Sequence, residues 1–216
     1  MVRIIKAGTH PHDVVDNEMR RLQKLRISDE IDDTIILVEH PEIITIGPRA
    51  RKEETPIPEG YRHTNVDRGG GVTWHGPGQV VCYPIIKWNL EGEENVAKII
   101  NKIEYWIIES LSTLGIKANR DERMQGVWVG DNKVASIGLS FLHWTSRHGF
   151  TINYATPKGR VELVSGCGLG SDITTSLDKM GHHTSLELIH ESIISSINTI
   201  DREVSEIVEL SNPPWN

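Results

Sequence analysis

The chain has 216 residues, enough for one well-packed domain, and its 38% hydrophobic and 25% charged composition excludes a disordered polymer. A formal net charge of −7 argues against a broad nucleic-acid surface. No window approaches the ~18 apolar residues of a membrane span. Only two cysteines occur, Cys82 and Cys167, and neither belongs to a Cys-x-x-Cys pair. Secreted chains of this size usually carry more. The N-terminus lacks a signal-peptide pattern, so a cytoplasmic location is expected.

Residues 2–6 alternate as a strand does. A helix is predicted over 11–26, with Pro11 in its first turn and Val15, Met19 and Leu22 at helical spacing. Residues 34–39 and 43–46 are β-branched runs split by His40 and Pro41, and read as two strands. Residues 48–60 hold three prolines and the basic Arg49, Arg51 and Lys52, and are expected to form a surface loop. Another strand is expected over 62–66, then a glycine-rich stretch over 68–79 and a buried strand over 80–86.

The clearest helix starts at the cap residue Asn95 and ends before Gly115. Its stripe runs through Ile99, Ile103, Trp106, Ile107 and Leu111. Residues 126–130, 133–139 and 149–154 are strand-like, with Gly130-Asp131-Asn132 as a turn. Residues 166–171 form a second glycine-rich stretch, around Cys167. Residues 184–209 are predicted helical, broken near Asp201. Strands clustered between a few helices predict one α+β domain over 1–216, with a mixed, largely antiparallel sheet flanked by helices.

The two cysteines differ in setting. Cys82 lies in the apolar Val80–Ile86 run and suits packing, because a free cysteine behaves as a small hydrophobe. Cys167 has glycine on both sides, which suits an exposed thiol on a turn with backbone amides near a substrate oxygen. A catalytic thiol needs a neighbouring cation to ionise near neutral pH. Lys133 is a candidate, because small and apolar residues follow it and carry it towards a site instead of water.

The stretch Arg68-Gly69-Gly70-Gly71-Val72-Thr73-Trp74-His75-Gly76-Pro77-Gly78-Gln79 lacks the Gly-Lys-Ser or Gly-Lys-Thr of a phosphate loop. Pro77 and Gly78 also forbid the helix that a dinucleotide loop requires. It therefore suits a small apolar or amide-containing ligand. This stretch resembles the signature of the lipoyl(octanoyl) transferase family. The likeness continues, in family order, through Gly126–Val129, Lys133–Gly138, His148–Asn153, Cys167-Gly168 and Thr174–Leu177.

The resemblance implies the fold of biotin and lipoate ligase catalytic domains. It implies an octanoyltransferase that moves an octanoyl group from acyl carrier protein to a lysine of lipoyl domains, in protein lipoylation. The acceptors would be the lipoyl domains of 2-oxoacid dehydrogenase complexes and the glycine cleavage H protein. Cys167 matches the residue that carries the acyl thioester, and Lys133 the residue that lowers its pKa. Arg68, Gly69, Gly70, Gly71, Val72, Thr73, Trp74 and His75 match pocket-lining positions. So do Ser136, Ile137 and Gly138, and His148, Gly149, Phe150 and Thr151.

Three positions depart from the family pattern: Gly166 stands where proline is common, Ser136 where alanine is, and Ser140 where arginine is. Neither a cofactor nor a metal is expected. His10, His12, His182 and His183 are expected at the surface or as caps. A monomer is expected, without nucleic acid or membrane partners. Arg49, Arg51, Lys52 and Arg147 are candidates for a basic patch facing acidic protein partners. The rival readings are an ATP-dependent lipoate ligase, a Cys–His hydrolase using His75 or His148, and a non-catalytic binding protein.

Overall fold

A computed structural model describes residues 1–162 and 173–210. The elements run β1 (Val2–Thr9), α1 (His12–Ile27), β2 (Asp33–Glu39), β3 (Ile43–Ile46), α2 (Pro48–Lys52), β4 (His63–Asn65), β5 (Val72–His75) and β6 (Gln79–Ile85). They continue with α3 (Val96–Thr113), β7 (Val127–Val129), β8 (Asn132–Leu142), β9 (Thr145–Asn153), α4 (Leu186–Ser195) and β10 (Val204–Glu209). Seven strands form one sheet in the order β10-β1-β2-β6-β9-β8-β7. The β10–β1 and β1–β2 pairs are parallel and the other four antiparallel. A smaller sheet has the order β4-β3-β5.

Strand periodicity sets the layers, because successive side chains point to opposite faces. In β2, Ile35 and Leu37 enter one core while Ile36 and Val38 enter another. In β6, Val80 and Cys82 face the first core, and Val81, Tyr83 and Ile85 the second. Helices α3 and α4 cover the first face with Ile99, Ile103, Trp106, Ile189 and Ile193. Trp106 meets Phe150 edge to face at 5.2 Å, and its Nε1 donates to the Ile193 carbonyl at 2.8 Å. Helix α1 covers the second face with Val15, Met19 and Leu22, each buried and worth roughly 1.5–3 kcal/mol. The small sheet adds a third core of Ile44, Ile46, Ala50, Val72 and Trp74.

The cap of α3 is as its sequence predicts: the Asn95 side chain accepts from the Lys98 N–H at 3.0 Å. Other elements differ from expectation. Residues 48–52 form a short helix opened by Pro48, with the Arg51 guanidinium donating to the Ile46 and Val66 carbonyls. Residues 72–75 of the glycine-rich stretch are a strand. Residues 204–209 are not helical: they pair with β1, and that long-range ladder overrides the local helical pattern. Strands β8 and β9 extend further than expected and meet in a tight hairpin whose tip, His143-Trp144, has φ of 47° and 55°. His12 is buried, not at the surface, because α1 carries it down onto the sheet. Arg147 is likewise buried, between Asp16 and Asp67, so it belongs to no surface patch.

Candidate active site

A cleft opens on the α1 face of the large sheet, between β8, β9 and the small sheet. Its floor is the β8–β9 ladder, in which Ser136 lies opposite Thr151 and Gly138 opposite Gly149. Its far wall is the glycine-rich stretch. That wall is fixed at two points: the Gly69 N–H donates to the Leu139 carbonyl at 2.8 Å, and the Arg68 guanidinium binds loop and strand oxygens. Buried Arg68 donates to the Gly69 and Gly71 carbonyls, the Thr45 carbonyl, and Thr45 Oγ1 at 2.8 Å. A buried guanidinium needs many acceptors, and here they are the oxygens of the loop itself. Gly138 is required beneath it: a Cβ there would lie 2.9 Å from the Gly69 oxygen and 3.0 Å from Arg68 Cδ.

The cleft has an outer and an inner part. Lys133, Gly69, Gly70, Gly71, Val72 and Trp74 line the outer part, with Arg49, Arg123, Met124 and Thr174. His75, Gly138, His148, Gly149 and Phe150 line the inner part, with His12, Val81 and Tyr83. Arg68, Thr73, Ser136, Ile137 and Thr151 border both, so the two are continuous. The structure thus gathers every candidate residue among those described. Cys167 lies outside the described residues. The chain approaches that segment through Val161, which lines the outer cleft, and leaves it through Thr174, which also lines it. Residues 173–175 run beside Lys133: its N–H donates to the Ile173 carbonyl at 2.8 Å and its carbonyl accepts from the Thr175 N–H at 2.9 Å.

Lys133 is 6% exposed, and its Nζ lies 3.1 Å from the Met124 thioether. Gly126 leaves room for it. That residue has φ of 131°, and a Cβ there would stand 2.3 Å from the Ala135 oxygen and 2.5 Å from Lys133 Cε. Gly126 is also pinned from behind, its N–H donating to Glu104 Oε1 at 3.1 Å. The substitution Gly126→Ala should therefore displace the lysine and lower the rate of any reaction that the lysine assists about a hundredfold, the scale of a misplaced catalytic group. A steady-state rate within threefold of wild type would remove Lys133 position from the chemistry.

Two of the lining residues, both aromatic, also pack into the cores. Phe150 packs into the helix-side core, and Trp74 sits in the small-sheet core with Nε1 donating to Glu42 at 3.0 Å. His75 is oriented by a chain of hydrogen bonds. Its Nδ1–H donates to Gln79 Oε1 at 2.8 Å, and Nε2 accepts from the Thr45 hydroxyl at 3.1 Å. Gln79 Nε2 donates to Asn153 Oδ1 at 2.8 Å, and Asn153 Nδ2 to the Thr175 carbonyl at 3.0 Å. The His75 ring is thereby tied to the strand beside Lys133. His148, with φ of 59°, donates from Nε2 to Asp67 Oδ1 at 2.7 Å. That bond, reinforced by Arg147, holds the Asp67 carboxyl well below the usual range.

Three histidines line the inner cleft and a fourth, His40, packs against two of them, and burial holds each below its ordinary pKa. His12 is lowered to about 4, His40 to about 3 and His75 well below 6.5, and His148 is lowered despite Asp67. Unfolded, all four titrate near 6.5. The folded protein keeps them neutral, so below that value the unfolded state binds more protons, and stability falls as pH drops from 6.5 towards 4. Each histidine contributes up to about 1.4 kcal/mol per pH unit. The urea midpoint at pH 5 should lie clearly below that at pH 7; a flat profile would show that these rings titrate normally.

Sequence reasoning missed His12, Tyr83, Asp67 and the outer Arg123 and Met124. They come from α1, β6 and loops, and only the tertiary fold brings them to the cleft or, for Asp67, to the His148 ring that lines it. Among the described residues no cluster of histidine, cysteine and carboxylate could hold a metal ion. Likewise, no helix among them is long and apolar enough to cross a membrane.

Comparison with known proteins sets this cleft in context. The family model for the lipoyl protein ligase A/B catalytic domain matches residues 18–198. An octanoyltransferase of Syntrophobacter fumaroxidans is 35% identical over 206 residues, covering 89% of this chain and 90% of that protein. An octanoyltransferase of Caldicellulosiruptor saccharolyticus is 39% identical over 171 residues, covering 76% and 72%. Among solved structures, a bipartite lipoate protein ligase of Thermoplasma acidophilum superposes with a TM-score of 0.69 at 12% identity, covering 97% of this chain and 87% of that one. A biotin protein ligase of Aquifex aeolicus gives 0.55 at 12% identity, covering 93% and 69%. At such identities these structures share the fold.

Proposed function

The chain belongs to the lipoyl protein ligase A/B catalytic-domain family and is an acyltransferase that moves octanoyl groups in lipoate biosynthesis, and we propose that it does so through a thioester on Cys167. The donor in this reading is octanoyl-acyl carrier protein. The acceptor is a lysine of a lipoyl domain, as in 2-oxoacid dehydrogenase complexes and the glycine cleavage H protein. The enzyme acts as a single cytoplasmic, monomeric catalytic domain and needs no cofactor.

One observation carries the reading: a buried lysine, Lys133, stands in a cleft wall whose neighbouring segments lead into and out of the stretch holding Cys167. The Cys167 thiolate attacks the carbonyl carbon of the donor thioester. The bond to the carrier sulfur breaks, and the carrier sulfur leaves as a thiol with the proton of the Lys133 ammonium. Exchange of one thioester for another is nearly balanced, so no nucleotide is consumed. The acceptor amine then attacks the acyl-enzyme, an amide forms, and the Cys167 thiolate is released. The amine must be neutral to attack, and a lysine near pH 7 is mostly protonated. Lys133, left neutral by giving its proton to the departing carrier sulfur, accepts the proton of the amine. The octanoyl chain extends inward over Ser136 and Thr151, between Arg68 to His75 on one side and Gly138, His148, Gly149 and Phe150 on the other.

The test is a nucleotide-free reaction of the protein with octanoyl-carrier protein and a lipoyl domain, read by mass spectrometry of the domain. Octanoylation of one lysine without ATP supports the route. Modification only with free octanoate and ATP would instead establish a ligase, and hydrolysis without acceptor modification a hydrolase.

A further inference from the structure

We infer that His12 ends the acyl channel as a polar stop and thereby determines the chain length the enzyme accepts. The inference rests on the proposed acyl site, and it concerns a residue that the transfer mechanism does not use.

His12 occupies the first turn of α1, directly after Pro11, and is 5% exposed. It lines the inner cleft with Tyr83 and His148, on the side away from Lys133. Its ring stacks on His75, with centroids 6.1 Å apart and planes at 26°, and tilts against His40 at 5.3 Å. The neighbouring rings are tied down. His40 donates from Nδ1 to the His10 carbonyl at 2.7 Å, and its Nε2 accepts from the Tyr83 hydroxyl at 2.8 Å. His75 is held by Thr45 and Gln79, and His148 by Asp67. No described residue hydrogen-bonds the His12 imidazole. Asp16, Asp13, Arg68 and His148 face it at longer range, and burial keeps it neutral. A neutral imidazole carries one donor and one acceptor, and both are open to the cleft that His12 lines. Only a molecule in the cleft can satisfy them.

Lys133 lines the outer part of the cleft and His12 the inner, with Ser136, Ile137 and Thr151 bordering both. An octanoyl chain starting beside Lys133 passes these residues and brings its methyl end into the part that His12 lines. The inner cavity measures about 40 Å³. A water needs roughly 10–15 Å³ on this measure, so about three fit in the empty inner part, enough for one to pair with the imidazole. A longer chain would replace that water with a methyl group, which pairs with neither ring nitrogen.

The polar stop therefore discriminates through hydrogen bonding, and an ω-hydroxyl should undo it. In wild-type protein, octanoate should stabilise the fold against heat more than decanoate, and 10-hydroxydecanoate should recover the lost stabilisation. In His12→Leu, a side chain no smaller than histidine, decanoate should match octanoate and the hydroxyl should give no benefit. In transfer assays His12→Leu should raise the decanoyl-to-octanoyl ratio of kcat/KM about tenfold, and His12→Gln should keep the wild-type ratio. Decanoate binding wild type as well as octanoate, with no gain from the hydroxyl, would overturn the inference. So would a ratio raised by His12→Ala but not by His12→Leu, which would mark a steric wall. If wild type binds fatty acids in the predicted order but transfers none, the transfer reading falls and the stop stands.

Discussion

Cys167→Ala should leave no detectable acyl adduct after incubation with octanoyl-carrier protein, and should lower transfer to a lipoyl domain by at least on the order of 10³, the scale seen when a nucleophile is removed. Cys82→Ala is the matching control. Cys82 is fully buried on β6 between the main sheet and α3, facing Val80 and Phe150. Burial pushes its thiol well above the ordinary value, so it is never a thiolate at working pH. Its loss should reduce stability by about 1 kcal/mol through the small cavity left behind, and leave the adduct intact. Intact-protein mass distinguishes the variants directly. An adduct that persists on Cys167→Ala would end the thioester route.

The parts of this molecule legible in its sequence are those fixed by local chemistry. The α3 helix is one: Asn95 caps it, the apolar stripe repeats at helical spacing, and Gly115 follows with φ of 73°. The burial of Lys133 is another, because the run after it is β8, whose next two side chains, Val134 and Ala135, are fully buried. The features hidden from the sequence depend on distant partners. The His143-Trp144 turn has φ above zero at both positions without an asparagine or glycine to announce it. The long β8–β9 ladder holds it there. Strand β10 exists because β1 offers it an edge. His12 follows a proline at a helix start, which reads as a surface position until α1 is seen to begin over the cleft. Asp67 becomes important only because β9 brings Arg147 and His148 against it.

Lys133→Met should slow acyl-enzyme formation at pH 7 by about 10² to 10³, within the range for a positioned proton-transfer group. Methionine keeps the length of the side chain and removes its charge, in a site already walled by the Met124 thioether and by Gly126. The defect should shrink as pH rises towards about 8.5, where an unassisted thiol ionises by itself. The sign is diagnostic, because a lost packing contact would slow the reaction equally at every pH. Lys133→Arg separates the two duties of the lysine. A guanidinium supplies the positive charge but cannot release its proton at these pH values. Acyl-enzyme should then form faster than in Lys133→Met, while discharge to the acceptor amine remains slow. Burst kinetics with the donor alone, followed by addition of lipoyl domain, would resolve the two steps. If Lys133→Met forms acyl-enzyme within threefold of wild type across pH 6 to 9, the thiol is activated by another group, and the buried lysine serves the fold alone.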